Sequence, residues 1–77
     1  MALAYILITT KVGDTEIAVG EIKRLDRIQE ANVYTGPYDI IAKAEADSID
    51  EITNTLMKEI RQMPEIEKTV TCIQVER

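Results

Sequence analysis

The sequence predicts an α+β fold in the order β-α-β-β-α-β, with a four-stranded antiparallel sheet and both helices on one of its faces. Three observations predict it. Runs of strand character open and close the chain, at Ala2 to Thr10 and at Ile66 to Val75. Two helical apolar stripes each follow a capping residue, Asp14 for the first and Ser48 for the second. Between them, two strand-like runs flank the turn Thr35-Gly36-Pro37-Tyr38-Asp39, and a loop this short favours an antiparallel hairpin.

The first run, Ala-Leu-Ala-Tyr-Ile-Leu-Ile-Thr-Thr, is apolar almost throughout, the pattern of a strand covered on both faces. Two helices cover only one face of a sheet, so the second cover is expected from another subunit. Gly13-Asp14 ends this strand and starts a helix, with Glu16 in the first turn where the helix dipole favours an anion. Across Thr15 to Leu25 the stripe is Ala18, Ile22 and Leu25, with Ile17 beside it, and Gly20 inside the helix marks a candidate close packing contact. Ile28 to Thr35 reads as the second strand, with Ala31, Val33 and Thr35 on one face. The third, Asp39 to Ala46, alternates Ile41, Lys43 and Glu45 with Ile40, Ala42, Ala44 and Ala46. Asp47-Ser48 with Asp50 and Glu51 begins the second helix, whose stripe Ile49, Ile52, Leu56, Ile60 and Met63 is cleaner than the first, and Pro64 stops it. The last strand interleaves Ile66, Val70 and Cys72 with Thr69, Thr71, Ile73 and Val75. This is the ferredoxin-like, or split βαβ, arrangement.

Seventy-seven residues make one domain, residues 1–77, with a thin core for which oligomerisation is an expected support. The 45% hydrophobic and 30% charged content is that of a globular chain. No apolar run is long enough to span a bilayer, and no secretory signal pattern is present, so the expected location is cytoplasmic. Nine basic against fourteen acidic residues leave a net charge of −5, which argues against direct nucleic-acid binding. There is no histidine, so the commonest general base and metal ligand are both missing. Cys72 stands alone, which excludes an intrachain disulfide, and reads as a small buried apolar residue. The first loop, Lys11-Val12-Gly13-Asp14, lacks a Cys-x-x-Cys pair, so no metal or other cofactor is expected. Three tyrosines without Phe or Trp do not make an RNA-stacking sheet. No catalytic residue is assigned.

Asp39 has two readings. As a turn residue, its carboxylate bonds a nearby main-chain N–H. As a ligand residue, it anchors an ammonium group through a charge-assisted hydrogen bond. Gly36 fits both, by adopting positive φ or by allowing close backbone approach. Tyr38 serves as packing or as contact, and Thr69 and Thr71 either supply hydroxyls to a bound carboxylate or express ordinary β-propensity. Met57 and Met63 belong to the core stripe of the second helix or its edge.

The run Thr35-Gly36-Pro37-Tyr38-Asp39-Ile40-Ile41-Ala42, the helix capped from Ser48 and the strand Ile66-Glu67-Lys68-Thr69-Val70-Thr71 together resemble the ligand-binding domain of Lrp/AsnC regulators, called RAM. The likeness covers essentially the whole chain. It implies a ferredoxin-like subunit that dimerises through its sheet, in the manner of a dimeric α+β barrel, and assembles into rings of dimers. Amino-acid effectors would bind between dimers near the loop joining strands two and three, which carries Gly36, Tyr38 and Asp39 here, with Thr69 and Thr71 from the last strand. Met1 leads directly into strand one with no helix-turn-helix before it, so DNA binding is not carried over, and a full-length Lrp/AsnC-type regulator becomes the implied protein partner. The resulting expectation is a stand-alone, non-enzymatic sensor of an amino acid or similar small zwitterion. Two alternatives are a structural assembly module without an effector and a small enzyme of the dimeric α+β-barrel kind.

Overall fold

The computed structural model describes residues 1–75 and is organised about β1 (Ala2–Thr10), which pairs antiparallel with β3 (Ile40–Ala46) on one side and β4 (Ile66–Ile73) on the other. β2 (Ile28–Val33) pairs antiparallel with β3, giving the sheet order β2-β3-β1-β4. α1 (Thr15–Lys23) connects β1 to β2. A π-helical segment, Glu51–Leu56, runs directly into α2 (Met57–Arg61) and connects β3 to β4. This is the expected ferredoxin-like α+β topology.

Burial alternates along β1: Ala2, Ala4, Ile6, Ile8 and Thr10 are buried, while Leu3, Tyr5, Leu7 and Thr9 are half-buried or exposed. The same period holds in β3, where Ile40, Ala42, Ala44 and Ala46 are buried. Against this face pack Ala18, Val19 and Ile22 of α1 and Ile52, Leu56, Met57 and Ile60 of the second helical segment. Each fully buried Ile or Leu contributes roughly 1.5–3 kcal/mol by leaving water. On this buried face the alanines gather toward one end of the β1–β3 pair, where Ala2 and Ala4 stand opposite Ala46 and Ala44, and the isoleucines toward the other, where Ile8 stands opposite Ile40.

Some local expectations change. Ile17 is 57% exposed, and Val19 takes the core position instead, because α1 presents the Ala18, Val19 and Ile22 face to the sheet. Asp14 precedes α1 without a side-chain cap bond; only its carbonyl takes part, accepting the Ala18 N–H at 3.0 Å. Gly20 is exposed, and a Cβ built there meets nothing within 4 Å, so it marks no packing contact. β2 ends at Val33, two residues before Thr35.

The second helix begins as expected, with the Ser48 hydroxyl oxygen accepting the Glu51 N–H at 3.2 Å. The Met57 N–H then bonds the Ile52 carbonyl, five residues back. The wider turn rotates the start of the helix relative to its end, so Ile49 leaves the stripe and is 54% exposed while Met57 joins the core. Met63 packs at the edge of that core.

Candidate functional site

The β2–β3 turn is closed by the Tyr34 N–H donating to the Asp39 carbonyl at 2.9 Å. Gly36 has φ +147°, a conformation that side-chain-bearing residues rarely adopt, and Pro37 follows through a trans peptide bond. Gly36 is exposed, and Tyr38 and Asp39 are half-buried. The turn is fastened to β1 by the Asp39 N–H, which donates to the Ile8 carbonyl at 2.9 Å.

The Asp39 side chain also turns toward β1. Its Oδ2 accepts the Thr10 main-chain N–H at 2.8 Å and lies 3.3 Å from the donating Thr10 hydroxyl. The Thr10 hydroxyl in turn lies 2.6 Å from the Thr15 hydroxyl, on the first residue of α1. On the other side of β1, the Lys11 N–H donates to the Glu65 carbonyl at 2.9 Å. The side-chain Oε1 of Glu65 is buried with no donor among the described residues. One end of the sheet therefore gathers the turn, the end of β1, the start of α1 and the approach to β4.

Thr10 and Thr15 carry no mark in the sequence that separates them from ordinary strand-end and helix-start threonines. The signal that finds Thr10 is structural: among the described residues it is the polar residue that is buried, at 7% exposure.

Gly36, Tyr38 and Asp39 sit together on the turn. Thr69 and Thr71 do not join them within one chain, because they pair with Ile8 and Ile6 across β1 while Asp39 lies on the β3 side. Two strand spacings, roughly 10 Å, separate the two groups in the sheet direction. Three surface concavities, of about 330, 270 and 220 Å³, lie beside Gln29 to Asn32, beside Lys58 and Arg61, and beside Leu3 and Lys43. None of the three includes the turn. Among the described residues, no three His, Cys, Asp or Glu side chains gather where they would hold a metal ion.

Cross-strand partners share a face of an antiparallel sheet, and the register therefore defines the side that no helix covers. Leu7 stands between Ile41 and Val70, and Tyr5 between Lys43 and Cys72, with Leu3 beside Glu45. Tyr5 is 43% exposed. Cys72 is exposed as well, contrary to its reading as a buried residue, because the β4 register turns it away from the helices.

Residues 3–77 match the model of the Lrp/AsnC ligand binding domain. The chain belongs to the Lrp/AsnC family. It is 33% identical over 67 residues to the regulatory protein AsnC of Escherichia coli, a match that covers 87% of this chain and 44% of AsnC. It therefore spans less than half the length of that Lrp/AsnC relative. A hypothetical protein of Pyrococcus horikoshii has a similar structure, with a TM-score of 0.90 at 32% identity over 100% of this chain and 93% of that one. E. coli AsnC itself gives 0.88 at 31% identity, over 99% of this chain and 52% of AsnC. A transcriptional regulator of Neisseria meningitidis, solved as a complex with L-Met, shares the fold at 11% identity, with a TM-score of 0.71 over 97% of this chain and 50% of that one. No helix among the described residues is long and apolar enough to cross a membrane.

Proposed function

We propose that residues 1–77 act as one non-enzymatic effector-binding and oligomerisation unit, which takes an amino acid or similar small zwitterion between subunits and modulates cytoplasmic Lrp/AsnC-type transcription regulators. The observation that carries this reading is the uncovered sheet face: Leu3, Tyr5, Leu7, Ile41, Val70 and Cys72 share a surface that belongs inside an interface. Two sheets packed face to face make the dimer, and rings of dimers bring turns from neighbouring copies together. Gly36, Tyr38 and Asp39 then line the effector site, where Asp39 meets the ligand ammonium and main-chain N–H groups near Gly36 meet its carboxylate. Thr69 and Thr71 reach that site only across a subunit boundary. The L-Met complex of the Neisseria regulator supports an amino acid as the ligand class. The donor-free Glu65 Oε1 at the same end of the sheet supports a further cationic or amide contact there. The apolar layer between sheet and helices supports a role without catalysis.

A ligand that bridges subunits shifts assembly by mass action. Calorimetry against the twenty amino acids, repeated with Asp39→Asn, tests the effector. Asn retains an oxygen for the Thr10 N–H but removes the charge, so the reading expects binding by the parent and a loss of at least about tenfold in the variant, as for a lost charge-assisted bond. Unchanged affinity counts against Asp39, and no binding by the parent counts against the effector.

One observation favours a second reading, an assembly module without effector: both hydrogen bonds to the Asp39 carboxylate come from Thr10 of the same chain. It expects the same oligomer with and without amino acids, measured by scattering at two protein concentrations.

A further inference from the structure

We infer that Thr10 and Thr15 are positioning residues of the effector site, holding the Asp39 carboxylate by Oδ2 and leaving Oδ1 as the oxygen that receives a ligand cation. The inference rests on the reading of Asp39 as the ammonium anchor and adds two residues that act through it.

The direction of the hydroxyl chain follows from hydrogen counting. An ionised carboxylate only accepts, so the single hydroxyl hydrogen of Thr10 goes to Asp39 Oδ2. The hydrogen in the 2.6 Å contact between the two threonines then belongs to Thr15. The chain runs Thr15 O–H to Thr10 O–H to Asp39 Oδ2, and the Thr10 N–H converges on the same oxygen. Thr10 is buried, where a chain of hydrogen bonds is stronger than in water and each member polarises the next. The two donors from Thr10, one main-chain and one side-chain, fix the carboxylate in rotation as well as in place. A ligand that meets Asp39 therefore meets an oriented oxygen, and no rotamer freedom is lost at that step.

The test uses the whole chain and the variants Thr10→Val, Thr10→Ser and Thr15→Val. Thr10→Val keeps the shape and the main-chain donor but removes the hydroxyl; Thr10→Ser restores it. In ligand-free protein, three-bond couplings measured by NMR report the Asp39 χ1 rotamer. The parent and Thr10→Ser are expected to hold one rotamer, and Thr10→Val to populate a second, with Thr15→Val intermediate. Calorimetry with the twenty amino acids is expected to give a several-fold weaker affinity in Thr10→Val for whichever the parent binds, recovered in Thr10→Ser. A single Asp39 rotamer in Thr10→Val overturns the inference, as does a second rotamer with unchanged affinity. A parent that binds none of the twenty overturns the effector reading and the inference with it.

Discussion

The Asp39 carboxylate accepts the main-chain N–H of Thr10, 29 residues earlier, at 2.8 Å. This bond ties the β2–β3 turn to the end of the central strand. Asp39→Ala leaves a partly buried N–H without its acceptor, and the expected loss is about 1–3 kcal/mol of folding stability, read from urea denaturation. Asp39→Asn is expected to lose less than half of that. Equal losses in the two variants would show that the charge, not the acceptor, stabilises the turn.

Two of the three glycines, Gly20 and Gly36, predict opposite signs. Gly20 lies exposed in α1 with free space at its Cβ position, so Gly20→Ala is expected to raise stability by about 0.5–1 kcal/mol. Gly36 has equal space but φ +147°, so Gly36→Ala is expected to lower it by about 1–3 kcal/mol through backbone strain. Thermal unfolding of the two variants beside the parent decides both.

Ile6 is fully buried at the centre of β1 beneath the helices. Ile6→Ala is expected to destabilise by about 2–5 kcal/mol, through lost transfer free energy and a residual cavity. In a domain of this size that is a large share of the total, so the denaturation midpoint drops steeply. A change below about 1 kcal/mol would mean that the core refills by shifting a helix.

Leu7 stands on the uncovered face between Ile41 and Val70. A charge placed there is expensive to bury between two sheets and harmless in water, so Leu7→Lys is expected to yield monomers with native circular dichroism. Sedimentation velocity of parent and variant makes the comparison. An unchanged oligomer would move the subunit interface away from this face.

Cys72 shares that face beside Tyr5. Its reaction with a neutral thiol reagent is expected to slow as protein concentration rises and copies cover the sheet, and to lose that dependence in Leu7→Lys. A rate independent of concentration in the parent would leave Cys72 outside the interface.

The order of elements, the hairpin about Gly36, the start of the second helix at Ser48 and the excess of apolar surface on β1 are all legible in the residue order alone. Each of these is written in local chemistry: a period of two or of about 3.6, a glycine that tolerates positive φ, or a hydroxyl three residues before an N–H. The family was legible for the same reason, since its marks lie in contiguous runs. Tertiary structure alone decided the rest. Val19 displaced Ile17 from the core because the angle at which α1 meets the sheet is set by all the packed residues together. Ile49 left its stripe through one wide helical turn that no residue in Glu51–Leu56 announces. Cys72 and Thr71, adjacent in sequence, took opposite faces according to strand register. The partnership of Asp39 with Thr10 and Thr15 joins three elements through three side-chain oxygens and one main-chain N–H, and chain proximity carries no trace of it.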